Sequence, residues 1–153
     1  MNKNQIAEQI GLDNLLCFAA YSTSHAFSRF YRPLLDRLGL TYPQFIVMMV
    51  LWEGKTTMKA LADRVMLESS TLTPLLKKLE QAGLVERSRN KDDERVLDVA
   101  ATKKGMALKP DGKLAAVELA DATGETLEGV VELQQRLARV REQITKAAEK
   151  MNG

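Results

Sequence analysis

The 153 residues carry a formal net charge of +2, with 45% hydrophobic and 27% charged side chains, which suits one globular domain with a respectable core. One cysteine and one histidine exclude an internal disulfide and a cysteine-rich zinc site, and leave little for a hydrolase to use, so no metal and no cofactor are expected. No apolar run approaches the ~20 residues of a membrane span, and the polar opening MNKNQIAEQ does not read as a signal peptide, so no membrane association and a cytoplasmic location are expected. Charge is unevenly placed: from Asp111 onward there are 6 Lys/Arg and 8 Asp/Glu, against 16 and 12 before that point. Such a balance permits nucleic-acid binding without announcing it.

In chain order, Asp13 is placed to cap a long helix running towards Leu38. Leu16, Thr23, Phe27, Phe30 and Leu34 share one broad face of it, the face expected to meet the core. Beside that face, Cys17, Tyr21, Ser24, Ser28 and Tyr31 fall within about 40° of one direction. This seam of a thiol, two phenols and two hydroxyls is either a packed helix edge whose polar atoms bond locally or a chemical site. Cys17 and Tyr31 are 14 residues apart. That is roughly 21 Å along a helix, so they share a face but cannot touch within one chain. Contact requires a second copy of the helix crossing antiparallel in a dimer. His25 reads as a solvent-facing or hydrogen-bonded helix residue.

Gly39 ends this helix. Thr41 with Gln44 matches a capping box for the next, and Pro43 is harmless in its first turn. Phe45 to Trp52 is apolar nearly all round, so that helix should be buried, with Met48 and Trp52 as core. Thr56 or Thr57 then caps a shorter helix whose stripe is Met58, Leu61, Ala62 and Val65. Met66 to Ser69 reads as a turn into another helix. There Leu72, Leu75, Leu76 and Leu79 follow at i, i+3, i+4 and i+7. Ser69, Ser70 or Thr71 could cap it, and Ser70, Thr73, Pro74, Lys77 and Gln81 project from its opposite face. Such a polar face usually meets water; hydroxyls at its exposed start and lysines further along also suit a DNA major groove.

Gly83 stops this helix. Leu84–Asn90 and Arg95–Ala101 are short extended runs around a polar tip, Lys91 to Glu94, and read as a hairpin with Arg87, Arg89, Lys91 and Arg95 on or near it. Helix, turn, helix and basic hairpin together make a winged helix-turn-helix over about residues 40–101. The DNA contacts expected from it are Ser70, Thr71, Thr73, Pro74 and Lys77 on the helix, with Arg87 and Arg95 on the wing. Beyond it, Thr102 is placed to cap a helix interrupted near Pro110. From Thr126, the positions Leu127, Val130, Val131, Gln134, Leu137, Arg141, Ile144, Ala148 and Met151 keep a three-four spacing. Their narrow apolar stripe suits a partner helix better than a core.

The fold class expected is therefore mainly α with a small β-hairpin wing. It is read as a single domain of residues 1–153, in which residues of about 10–38 and 102–151 are dimerisation helices. This order of elements resembles the MarR-type winged-helix regulators, and Asp92-Asp93-Glu94-Arg95 followed by Thr102 and Gly105 resembles that family's wing-to-helix signature. The organic hydroperoxide resistance branch is matched more fully. Leu12-Asp13-Asn14-Leu15-Leu16-Cys17-Phe18, Tyr31-Arg32-Pro33-Leu34-Leu35, Leu40-Thr41-Tyr42-Pro43-Gln44 and Thr71-Leu72-Thr73-Pro74-Leu75-Leu76-Lys77-Lys78-Leu79-Glu80 carry that likeness. The resemblance implies a homodimeric repressor of a peroxide-detoxification gene on double-stranded, pseudo-palindromic operator DNA, and no enzyme. Cys17 matches the thiol that organic hydroperoxides oxidise, and Tyr31 and Tyr42 match tyrosines that hydrogen-bond it from the other subunit. Ser70 stands where close relatives often have glycine, and Ala101 replaces a common leucine. The second cysteine of the two-cysteine subtype is absent, so the chain resembles the one-cysteine subtype, which needs a small cellular thiol to complete the chemistry. Three other readings compete: a repressor released by a small aromatic or phenolic ligand, a thiol peroxidase, and a coiled-coil adaptor that leaves the wing unexplained.

Overall fold

A computed structural model describes residues 2–153, which divide into two units, one running to Ala115 and one from Ala116 to Gly153. The first begins with a short helix, α1 (Lys3–Ala7), closed by a capping box between Asn2 and Gln5. A 3-10 turn, Leu12–Asn14, follows. Asp13 lies inside that turn, and the long helix α2 (Leu16–Leu38) starts after an extended Leu15 with no side-chain cap. The expected Asp13 cap is therefore corrected. Asn14 is used locally instead: its Oδ1 accepts from the Gly11 N–H at 2.7 Å, and its Nδ2 donates to the Gln9 carbonyl.

The inward face of α2 also differs from the periodic reading. Tyr31 and Leu35 are buried and Phe27, Phe30 and Leu34 are half-buried, whereas Leu16 and Thr23 are exposed. Burial in α2 is concentrated in its second half, where α3 (Tyr42–Leu51) packs. Gly39, at φ +68°, turns the chain between them. The Thr41–Gln44 capping box forms as expected, and Phe45, Val47, Met48 and Leu51 on α3 are at most 2% exposed. An all-round apolar helix is stable only in such a position.

A two-residue strand, β1 (Thr56–Thr57), then leads into α4 (Met58–Val65), with Thr57 as its cap. Met66, at φ 56°, makes the turn into α5 (Ser69–Gln81). The residue preceding α5 is Glu68, with no side-chain cap, so Ser69, Ser70 and Thr71 stand in the first helical turn. Leu72, Leu76 and Leu79 are buried beneath it and Leu75 is half-buried. Strands β2 (Val85–Arg89) and β3 (Leu97–Ala101) pair antiparallel, with Val85 opposite Ala101 and Arg89 opposite Leu97. β1 joins the other edge of β3, giving the order β1-β3-β2. Two threonines offer no alternation to read, which is why this third strand was not expected.

Thr102 caps α6 (Lys103–Ala107), and α7 (Lys109–Ala122) follows after a break at Leu108, close to the interruption expected at Pro110. The Trp52 indole N–H donates to the Gly105 carbonyl at 2.9 Å. A Cβ at Gly105 would lie 2.0 Å from the Leu84 carbonyl oxygen, and one at Gly112 would lie 2.2 Å from the Trp52 ring. Both glycines thus allow close approach around the indole. In the second unit, Thr126 caps α8 (Leu127–Asn152), which has no buried residue. Among the described residues no single helix is long and apolar enough to cross a membrane.

Candidate nucleic-acid interface and thiol seam

The buried leucine stripe of α5 turns Ser70, Thr71, Thr73, Pro74 and Lys77 outward, and all five are exposed. Because Glu68 precedes the helix without capping it, the hydroxyls of Ser70 and Thr71 are not consumed as caps. Pro74 cannot donate to the Ser70 carbonyl one turn earlier, so that acceptor is also left to the exterior. Donors, acceptors and a cation therefore lie along one solvent-facing helix surface, the chemistry a base edge or phosphate needs.

The wing is held by side chains that local periodicity does not reveal. Asn90 Oδ1 accepts from the N–H groups of Asp92 and Asp93 at 2.9 and 3.1 Å, shaping the tip. Its Nδ2 donates to the buried Asp98 carboxylate at 3.1 Å, and Lys55 Nζ approaches the same carboxylate at 3.3 Å. The Asn90 amide first, and then Lys55, hold the Asp98 carboxyl below its usual range. Arg89 donates to the Glu94 carbonyl, bracing the far side of the tip. Arg95 projects from this frame with its side chain 95% exposed, 3.8 Å from Asp93.

Arg87 sits differently. It is half-buried, and its Nε and Nη2 both donate to Glu80 Oε2, at 3.2 and 2.8 Å. That pair, which also holds the Glu80 carboxyl below its usual range, fastens β2 to α5. Arg87 thus braces wing against helix in this structure. An acidic residue near the end of α5 and an arginine on the adjoining strand were the sequence signals for it.

On α2, Cys17 is exposed and occupies the second helical position. That is nearer the helix start than a cap at Asp13 implies, among backbone N–H groups that have no intrahelical acceptor. Tyr21, Ser24 and Ser28 on the same seam are exposed; Ser28 donates to the Ser24 carbonyl. Tyr31 is 5% exposed, its ring 5.5 Å from that of Tyr42 and 5.3 Å from that of Phe45. Tyr42 is 37% exposed. Burial, and then the neighbouring Tyr42, push the Tyr31 phenol up to about 12, and burial raises Tyr42 as well. Both are therefore neutral phenols, and neither hydroxyl has a hydrogen-bond partner among the described residues. The fold brings Tyr31 and Tyr42 together and leaves Cys17 of the same chain about 21 Å up the helix. An open cavity of about 460 Å³ adjoins Tyr42, with Arg29 and Arg32 on its α2 side. The sequence pattern marks Arg32 only as part of the Tyr31–Leu35 block and does not mark Arg29 at all.

A buried-core helix-turn-helix with a polar outward face, followed by a braced hairpin carrying an exposed arginine, defines the class as a winged-helix DNA-binding regulator. Comparison with known proteins agrees. The model of the family described as transcriptional regulator SarA/Rot matches residues 29–111, and the chain belongs to that family of MarR-type winged-helix transcriptional regulators, which are not enzymes. It is 43% identical over 103 residues to the organic hydroperoxide resistance transcriptional regulator of Bacillus subtilis, spanning 67% of this chain and 70% of the relative. It is also 43% identical over 134 residues to the regulator TtmR of Methylorubrum extorquens, spanning 87% and 69%. Reduced AbfR bound to DNA, from a regulator of Staphylococcus epidermidis, superposes with a TM-score of 0.74 at 32% identity, covering 91% of this chain and 98% of that one.

Proposed function

We propose that the protein is a homodimeric repressor that leaves its operator when an organic hydroperoxide oxidises Cys17. The observation carrying this reading is a pair of phenols without a hydrogen-bond partner among the described residues: Tyr31 in the far half of the helix whose start presents the chain's single, exposed thiol, and Tyr42 at the start of α3, packed against it. Two α2 helices crossing antiparallel bring each thiol to the other subunit's phenols. The likeness to a hydroperoxide-resistance regulator and to AbfR supports the same chemistry.

In the reduced dimer the phenols donate to the partner subunit's sulfur. As the thiolate, Cys17 attacks one peroxide oxygen; the O–O bond breaks, the sulfur retains that oxygen, and the alcohol departs with the proton. The sulfenic acid then condenses with a small cellular thiol, losing water and leaving a mixed disulfide. No second cysteine is present to resolve it. An adduct cannot occupy the space of a hydrogen-bonded thiolate, so the α2 helices shift. Two recognition helices serve half-sites ~34 Å apart on one DNA face, and a modest subunit rotation spoils that spacing. Ser70, Thr71, Thr73, Pro74 and Lys77 enter the major groove region, Arg95 enters a minor groove, and Arg87 holds the wing to α5.

A gel shift on the region beside its own gene tests the reading. Wild type is expected to release on addition of cumene hydroperoxide, and Cys17→Ser to bind equally well and stay bound. Release of Cys17→Ser by peroxide overturns it. Release of wild type by salicylate-like acids but not by peroxide establishes the aromatic-ligand repressor instead.

A further inference from the structure

The cavity beside Tyr42 has a chemical character that the repressor reading does not use. It lies between the second half of α2 and the start of α3, over the buried Leu35 and Leu40. His25, Arg29 and Arg32 stand at i, i+4 and i+7 and line it from successive turns of α2, and Thr41 and Tyr42 close it from α3. Neither arginine makes an ion pair among the described residues, in contrast to Arg64 with Glu53 and Arg87 with Glu80. One carboxylate, Asp36, faces them. The cavity therefore holds two unpaired guanidiniums against a single acid, next to a phenol.

We infer that this cavity is the docking site for the small thiol that condenses with oxidised Cys17, and that it selects thiols bearing a carboxylate. The inference rests on the proposed cross-subunit sensor, in which the partner's sulfur lies at Tyr31 and Tyr42. A thiol seated by Arg29 and Arg32 then has its S–H beside the sulfenic acid of the other subunit. Guanidinium forks match carboxylates in bidentate fashion, whereas a neutral primary amide offers them no charge to pair with, and two guanidiniums against the single Asp36 favour an anion over an ammonium. In the step itself, the docked thiol's sulfur bonds to the Cys17 sulfur and the sulfenic oxygen leaves as water with the thiol proton. About 460 Å³ accommodates an amino-acid-sized or small peptidic thiol.

The experiment uses the full-length dimer and two probes, N-acetylcysteine and its primary amide. The protein is first oxidised with cumene hydroperoxide, which carries no charge, and the sulfenic acid is titrated with dimedone in a separate aliquot. Mixed disulfide formation is then timed by intact mass for wild type and for the Arg29→Gln, Arg32→Gln double variant. Comparing each probe between the two proteins cancels the intrinsic reactivity of the thiol. Loss of the guanidiniums is expected to slow the carboxylate thiol about tenfold and leave the amide unchanged. In wild type, the S-methyl ether of N-acetylcysteine, which keeps the carboxylate but cannot condense, is expected to slow the carboxylate thiol. Equal slowing of both probes, or no competition by the ether, overturns the docking site while the sensor stands. Absence of a dimedone-reactive sulfenic acid on Cys17 overturns sensor and docking site together.

Discussion

Tyr31 and Tyr42 are neighbours in space, 11 residues apart in sequence, and their environment sets their chemistry. Because burial keeps Tyr31 neutral up to about 12 and raises Tyr42 too, both remain hydrogen-bond donors throughout the neutral range. Tyr31→Phe or Tyr42→Phe is expected to preserve operator binding in the reduced state. Each should slow peroxide-driven release by roughly fivefold, the equivalent of one hydrogen bond of about 1 kcal/mol; an anisotropy time course measures this. Loss of thermal stability with an unchanged release rate instead assigns the hydroxyls to bracing alone. The same phenol has an alkaline signature. Folded Tyr31 keeps its proton to about 12 against a reference value of 10.0, so the stability it contributes is present in full below the reference value. It is lost as pH rises from there towards the folded value. Urea unfolding across that window should show a steeper decline for wild type than for Tyr31→Phe.

At the scale of elements, the wing and the α6 junction illustrate how long-range partners fix short segments. Asp98, Asn90 and Lys55 come from β3, the wing tip and the segment before β1, and together they hold the frame from which Arg95 extends. Arg95→Ala removes only the exposed guanidinium. Operator binding should weaken by about 1–3 kcal/mol with the unfolding curve unchanged, as expected of a groove contact. Equal affinity at physiological salt removes Arg95 from the interface. Gly105 behaves in the opposite way. Its absent Cβ leaves space that the Leu84 carbonyl and Met48 occupy, and backbone cannot yield as a side-chain end does. Gly105→Ala should cost about 3 kcal/mol of stability by overpacking, read by chemical denaturation. A change within experimental error shows that α6 shifts freely.

For the whole molecule, the apolar residues left outside suggest a larger assembly. Leu16 and Tyr21 on the first half of α2 are more than 60% exposed, and Leu127, Val131, Leu137, Ile144 and Met151 on α8 range from 46% to 86%. A 26-residue helix with no buried side chain is hard to sustain in water without packing on its apolar stripe. The dimer is therefore expected to be obligate, with α2 and the last two helices forming its contacts. Sedimentation at micromolar concentration should find no folded monomer, and Leu137→Asp with Ile144→Asp should unfold the chain as it dissociates. A stable folded monomer of wild type removes the dimer and the cross-subunit sensor with it.

Much of this architecture is local in origin and so was readable from residue order. The Thr41–Gln44 capping box, the glycine after α2, the leucine stripe of α5, the breaks around the wing and the threonine cap of α6 each depend on residues within one or two turns. Periodicity also identified the exposed face carrying Ser70, Thr73, Pro74 and Lys77, because burial of the leucines dictates what the other side must be. The remainder depended on which surfaces met. The direction of α2's inward face followed from where α3 packs, displacing Leu16 and Thr23 in favour of Tyr31 and Leu35. The third strand exists only because β3 is there to pair with two threonines. Arg87 counts as a wing cation in the sequence and becomes a brace once Glu80 lies within hydrogen-bond reach. The two phenols share an angular window with, or lie near, a thiol seam in the sequence. Their mutual contact, their burial and the cationic cavity beside them arise from a turn at Gly39 that folds α3 back against α2, since Coulombic and hydrogen-bonding interactions depend on distance in space and not on separation along the chain.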